Sequence, residues 1–184
     1  MESEIQKTIE KLNKEYKWFG EEELENTAGR IERFFEELKS KELLNLKKNF
    51  TTFENPNYDQ LIILKDIQFW SLCSHHLLPF FGKVHIGYLP DKKICGISKL
   101  ARAVDAFASK PQIQEGMTQE IVDFIHAKLK PKFVMVIVEG QHLCMQMRGI
   151  RKEGAIMITS AIKGRDTEGI DWKGLKREML GLIT

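Results

Sequence analysis

Along this chain the spacing of apolar residues switches between a period near 3.6 and a period near two. The order of those switches constrains the fold more than composition does. Residues 3 to about 17 and 21 to about 39 carry helical spacing, with Ile5, Ile9 and Leu12 on one stripe and Leu24, Ile31, Phe34, Phe35 and Leu38 on another. They predict an antiparallel helix pair. A polar stretch over residues 39–57, closing in Asn-Pro-Asn, reads as a link. Residues 61 to about 70 and 84–89 read as strands, the second closed by Pro90-Asp91. Two helical patterns follow, at 98 to about 109 and 114–129, broken by Lys110-Pro111 because proline cannot continue a helix. Residues 133–138, 141–149 and 155–162 are strand-like, and 172–182 closes as an amphipathic helix. Sequential strands interrupted by one helix pair predict an α+β domain, with an antiparallel sheet and that pair on one of its faces. The expectation is a single domain over residues 1–184, with an N-terminal helical hairpin at 1–40 and a core at 58–184.

With 184 residues the chain can bury roughly 70% of its unfolded surface, so its core needs no staple and any metal is optional for stability. Lys and Arg number 28 against 26 Asp and Glu, a formal net charge of +2. That is too little to steer the whole molecule toward nucleic acid or a membrane surface, and neither is expected as a partner. The three cysteines are odd in number and too sparse for a secreted disulfide scaffold. The start, Met1-Glu-Ser-Glu, is acidic where a signal peptide needs a basic and then apolar run, and no apolar stretch reaches about 18 residues. A cytoplasmic location is the expectation.

Three clusters carry chemistry. In Cys73-Ser74-His75-His76 a thiol and an imidazole stand three positions apart, a spacing that one turn can fold around a tetrahedral ion; a buried cysteine beside an ordinary histidine is the plain alternative. In Gln141-His-Leu-Cys-Met-Gln-Met-Arg148 a strand of period two predicts His142, Cys144, Gln146 and Arg148 on one face and Leu143, Met145 and Met147 in the core. Cys144 with Cys73 and His76 makes three ligands for zinc, and three leave a position for water, as catalytic rather than closed structural sites do. His75 and His142 then flank the ion and handle protons, since histidine titrates near neutral pH. Cys95, between Ile94 and Gly96, reads as core. In Gly96-Ile-Ser-Lys-Leu-Ala-Arg102, Ser98 is a candidate N-cap, and Lys99 and Arg102 share a face of the first turns. Two cations there oppose the helix dipole, so they form either a phosphate site or a solvated basic face. Arg148 and Arg30 are further phosphate candidates. Glu115 opens the next helix as a dipole-complementing acid or as a carboxylate able to take two parallel N–H groups, such as the edge of guanine.

Taken together, residues 69–88 (Phe-Trp-Ser-Leu-Cys-Ser-His-His-Leu-Leu-Pro-Phe-Phe-Gly-Lys-Val-His-Ile-Gly-Tyr), Gly96-Ile-Ser-Lys-Leu-Ala-Arg, Pro111-Gln-Ile-Gln-Glu and His142-Leu-Cys-Met-Gln-Met-Arg-Gly-Ile resemble GTP cyclohydrolase I across about residues 54–164. The resemblance implies the tunnelling fold, in which subunits join their sheets into a ring-shaped homo-oligomer, a decamer of two stacked pentamers with active sites at subunit interfaces. It implies conversion of GTP to 7,8-dihydroneopterin triphosphate and formate at the head of folate, biopterin or deazaguanine synthesis. By position it implies Cys73, His76 and Cys144 as zinc ligands, the ion lowering the pKa of its water toward about 7. His75 and His142 become proton-transfer groups, and Ser98 serves the sugar rearrangement or a phosphate. Lys99, Arg102, Arg148 and Arg30 take the triphosphate, and Glu115, with Gln114 beside it, the guanine edge.

The chain departs from the family pattern at four places. Ser74 stands where the family has Glu; Gly116 replaces Arg and weakens that helix start by up to about 1 kcal/mol; Thr27-Ala-Gly-Arg30 replaces Thr-Pro-x-Arg; and Arg165 replaces Phe. Two other readings compete: a tunnelling-fold relative using the same zinc on another purine or pterin, and a non-catalytic binding protein with zinc as a staple. The staple would want a fourth protein ligand.

Overall fold

The computed structural model describes residues 3–40, 43–164 and 169–183, which leaves Arg165 outside the described residues. It divides into two compact units, Met1–Lys41 and Glu42–Thr184.

The first unit is a pair of helices, α1 (Glu4–Tyr16) and α2 (Glu21–Ser40). Ser3 caps α1 by accepting from the Gln6 backbone N–H at 3.1 Å, and Lys17 ends it in the left-handed region at φ 55°. The Gln6 carboxamide donates to the Leu24 carbonyl, joining the first turns of the two helices.

The second unit runs α3 (Leu43–Asn49), β1 (Thr52–Glu54), β2 (Ile62–Leu72), β3 (Pro79–Leu89), β4 (Lys93–Cys95), α4 (Ile97–Ala108), α5 (Gln114–Leu129), β5 (Phe133–His142), α6 (Leu143–Gln146), β6 (Met157–Gly164) and α7 (Trp172–Ile183). Four strands form one antiparallel sheet in the order β2-β3-β5-β6, and β1 pairs with β4 in a separate two-stranded ribbon. The α+β reading therefore holds, with the helix pair α4 and α5 inserted between neighbouring strands. Val134, Val136 and Val138 of β5 face one layer with Val84, Ile86 and Tyr88 of β3, Leu100 and Val104 of α4, and Met117, Ile121 and Ile125 of α5. Phe133, Met135 and Ile137, the alternate residues of β5, pack with Met179, Trp172 and Leu175 of α7 on the other face. Cover on both faces is why residues 133–138 read as an unbroken apolar run rather than an alternating one.

The expected polar link at 39–57 is only partly a link. It carries α3 and β1, and Leu46 and Phe50, four apart, turn into the core, with Phe50 edge-on to Phe124 at 5.2 Å. The break at Lys110-Pro111 falls between α4 and α5 as read from the sequence.

Candidate active site

Strand β2 ends at Leu72, and the chain reverses through Cys73 to Leu78 before β3 begins at Pro79. The turn closes on itself: the Cys73 N–H donates to the Leu78 carbonyl at 2.8 Å, and the Leu77 N–H donates to the Cys73 carbonyl at 2.7 Å. Leu77 reverses the chain in the left-handed region, φ 53°, at a cost of roughly 1–2 kcal/mol for a residue with a side chain. The turn is also fastened from outside. Gln112, in the linker after α4, donates its N–H to the Leu72 carbonyl and accepts from the Ser74 N–H, so the α4–α5 linker lies against the cysteine turn. Gln112 is itself held by donation from Nε2 to the Phe107 carbonyl and the Glu120 carboxylate.

The second arm arrives along β5. Phe80, opposite His142 in the ladder, stacks its ring on the imidazole with centroids 4.7 Å apart and planes 8° from parallel. Here the sequence reading needs correction. Residues 143–146 are not strand but the short helical turn α6, and Met147, expected in the core, is 60% exposed. A single turn of four residues is too short for its period to register against an alternating pattern. Cys144 still reaches the site, carried by that turn rather than by strand alternation.

The outcome is that Cys73 Sγ, a ring nitrogen of His76 and Cys144 Sγ lie within 4.8 Å of one another. His75 sits beside them, its Nδ1 3.8 Å from Cys73 Sγ. The chemistry of the donors fits a metal ion. Burial, and then the neighbouring Cys73, push the Cys144 thiol up from its ordinary value, while Arg148 works the other way. Two sulfurs crowded with an imidazole are a poor arrangement for free thiols and a good one for a borderline-soft divalent cation, whose charge favours both thiolates. Burial also holds His142 below its usual range, against the opposing pull of Glu115, so its imidazole is neutral near pH 7.

Gln114 and Glu115 open α5 next to this cluster. Glu115 is exposed in the first turn. Gln114 is 1% exposed, and its amide is engaged within the fold: Nε2 contacts the Val138 carbonyl at 3.1 Å, the Met157 carbonyl at 2.9 Å and Thr159 Oγ1 at 3.2 Å, while Oε1 lies 2.9 Å from His142 Nε2. Arg148 follows α6, exposed and close enough to act on the Cys144 thiol.

Ser98, Lys99 and Arg102 lie elsewhere. Gly96, not Ser98, is the N-cap of α4, which leaves Ser98 in the first turn. The cap precedes Ser98 because the helix already begins at Ile97, where the chain leaves the β1–β4 ribbon. The Cys95 N–H donates to the Tyr88 hydroxyl at 3.3 Å, which pins the start of α4 to the far end of β3. Tyr88 is eight residues along that strand from Phe80, roughly 27 Å. Among the described residues no hydrogen bond or ion pair joins Lys99 or Arg102 to the Cys73 cluster, and the start of α4, which carries Lys99, is held toward the other end of β3 from the cysteine turn. Arg30 lies on α2 in the first unit. Cys95 is 8% exposed and belongs to the core, as expected.

Several residues that shape the site escaped the sequence reading: Phe80, Gln112, Thr118, Thr159 and Gly140. Only Gly140 carried a local signal, since a glycine inside a strand often marks a close approach. A Cβ there would overlap the Gln114 carboxamide oxygen.

Comparison with known proteins gives a consistent picture. The family model for GTP cyclohydrolase I matches residues 1–178. The chain is 45% identical over 163 residues to GTP cyclohydrolase 1 of Sulfurihydrogenibium sp., covering 88% of this chain and 83% of that one. It is 50% identical over 143 residues to GTP cyclohydrolase 1 of Aquifex aeolicus, covering 78% and 76%. With GTP cyclohydrolase 1 of Clostridium perfringens it shares 45% identity over 164 residues, covering 89% and 86%. Among solved structures, the archaeosine synthase QueF-Like in the apo form covers 60% of this chain and 100% of its own, at 18% identity and a TM-score of 0.48, too loose an overlap to assign a fold from.

Proposed function

The chain belongs to the GTP cyclohydrolase I family, and on that premise we propose that it converts GTP to 7,8-dihydroneopterin triphosphate and formate, opening tetrahydrofolate, pterin or deazaguanine synthesis. The observation that carries this reading is the convergence of Cys73, His76 and Cys144, with His75 against Cys73 and His142 two residues before Cys144. A zinc ion held by these three side chains would supply Lewis acidity, activating water toward C8 of the purine. His75 exchanges protons with the nitrogens of the opening five-membered ring. His142, neutral near pH 7, takes and returns protons during formamide hydrolysis and ribose opening. Glu115 accepts the two N–H groups of the guanine edge. Gln114, beside it in the chain and expected at the same edge, has its amide hydrogens engaged within the fold, which leaves the base to Glu115.

The triphosphate falls to Lys99, Arg102, Arg148 and Arg30, with Ser98 on the sugar or a phosphate. Because the start of α4 is held at the end of β3 away from the cysteine turn, a second copy of the chain brings Lys99 and Arg102 to the site. Two further features support assembly into a tunnelling-fold ring, a decamer of stacked pentamers. Strands β2 and β6, of 11 and 8 residues, are edges of the four-stranded sheet with no further partner among the described strands, and such long open edges invite pairing with another copy. Trp70 of β2 and Ile158 of β6, one on each edge strand, are 66% and 63% exposed and offer apolar surface to a neighbouring copy. No described helix is long and apolar enough to cross a membrane, and the three free cysteines suit a reducing cytoplasm.

The test is direct: zinc-loaded protein incubated with GTP should release formate and, after oxidation, a fluorescent pterin. Folded, metal-loaded protein that yields neither would refute the proposal, and faster turnover of another purine in the same assay would transfer the site to that substrate.

A further inference from the structure

Every hydrogen bond around Gln114 has a forced direction, and following the directions fixes the state of His142. The carbonyls of Val138 and Met157 only accept, so the carboxamide nitrogen facing both must be the donor, and its two hydrogens are assigned. The Gln114 backbone carbonyl also only accepts, so the Thr118 hydroxyl at 2.7 Å donates to it. Thr118 then has no hydrogen left for Thr159 at 2.6 Å, so Thr159 donates to Thr118 and its oxygen shares one of the two Gln114 Nε2 hydrogens with a carbonyl. Three backbone carbonyls thereby lock the amide with Oε1 aimed at His142. An amide oxygen facing a bare imidazole nitrogen at 2.9 Å would be repulsive, so His142 Nε2 carries the hydrogen.

We propose that Gln114 is a positioning residue that holds His142 as the Nε2–H tautomer and so leaves Nδ1 as its proton-accepting nitrogen. Phe80 sets the plane of the ring by stacking, and Gln114 sets its rotation within that plane. Gly140 completes the device, since the carboxamide oxygen occupies the space a side chain there would take. The network draws on α5, β5 and β6, so three elements must be in place before the imidazole is oriented. The inference rests on the reading of His142 as a proton-transfer group only for its kinetic consequence; the tautomer itself follows from the geometry.

The test uses the full-length, zinc-loaded enzyme with 15N-labelled histidine, observed by solid-state NMR above the imidazole titration range, His142 being assigned by the signal lost in His142→Ala. Wild type should show His142 protonated at Nε2 alone. Gln114→Ala and Gly140→Ala should admit the Nδ1–H form and lower kcat by roughly 10- to 100-fold, the scale set by misplacing a reacting group by about 1 Å. KM for GTP should move less than about threefold and zinc content should stay unchanged. Thr159→Ser, which keeps the hydroxyl, should behave as wild type. An Nδ1–H signal in wild type would overturn the proposal, as would a raised KM with kcat intact in Gln114→Ala, which would make Gln114 a substrate contact instead. Should Gly140→Ala fail to fold, Gln114→Ala carries both readouts. The spectrum needs no GTP, so a wild-type enzyme inactive on GTP would refute the proposed function while the tautomer measurement still decides this one.

Discussion

Two individually inactive variants, Cys144→Ala and the double variant Lys99→Ala/Arg102→Ala, should restore activity when combined in one assembly. Within one chain the start of α4 is pinned through Cys95 and Tyr88 to one end of β3, while His142 and the cysteine turn stand at the other, roughly 27 Å along the strand. If each working site takes its metal half from one copy and its α4 half from another, a random equal mixture gives each half a one-in-two chance of being intact. About one quarter of the sites are then whole, because such an interface pairs different patches of neighbouring copies. If both halves came from the same chain, no site would be whole in any mixture. The assay is GTP turnover of co-expressed variants carrying different affinity tags, purified over both tags in turn, with zinc content and assembly size measured on the same sample. Recovery near 25% of wild type, against a background from either variant alone, is the expected result. Doubly tagged assemblies that stay inactive would refute the shared site and require Lys99 and Arg102 to reach the metal cluster by a rearrangement within one chain.

Replacing Cys73 or Cys144 with Ser should remove bound metal, measured by atomic absorption, together with turnover, whereas His75→Ala should keep the metal and lose turnover; metal loss in His75→Ala would make it a ligand. Chelation should abolish activity, and added zinc should restore it. Met179 is fully buried between α7 and the sheet, so Met179→Ala should cost about 2–5 kcal/mol and lower Tm by roughly 5–15 °C in a thermal scan; a shift under about 2 °C would mean that α7 does not hold that face. The Cys95 thiol is pushed up by burial, partly opposed by its hydrogen bond with Tyr88, so the folded state keeps this proton more tightly than the unfolded chain does. Its contribution is therefore complete below about pH 8.5 and is lost as pH rises past that point toward the folded value, by at most about 1.4 kcal/mol per pH unit. Urea midpoints measured from pH 7.5 to 9.5 should fall more steeply for wild type than for Cys95→Ala, and equal slopes would contradict this.

What could be read from the residues alone followed how local each signal is. Pro111 separates α4 from α5 by a constraint within the dipeptide, and the Cys73–His76 spacing describes one turn, so both were legible. The seven-residue α3 and the three-residue β1 and β4 are too short for periodicity to distinguish from a polar link, although Leu46 and Phe50 show in hindsight the spacing of a buried helical face. Segment 141–149 misled for a sharper reason. Its polar and apolar residues do alternate, but β5 runs out at His142 and the chain coils once, so the alternation describes no face.

The orientation of His142 lay deeper, because it depends on register. Phe80 lies opposite His142, and two positions further along the ladder Gly82 lies opposite Gly140. The stack that sets the imidazole plane and the gap that admits Gln114 are thus consecutive positions on one face of one strand pair. A slip of one residue between β3 and β5 would turn Phe80 away from His142. The slip is opposed by chemistry remote from the site, since it would also exchange Val134, Val136 and Val138 with Phe133, Met135 and Ile137 between the layers under α4 and α5 and under α7. The two apolar layers therefore act on the proposed proton-transfer group through register: packing selects the pairing, and the pairing aims His142.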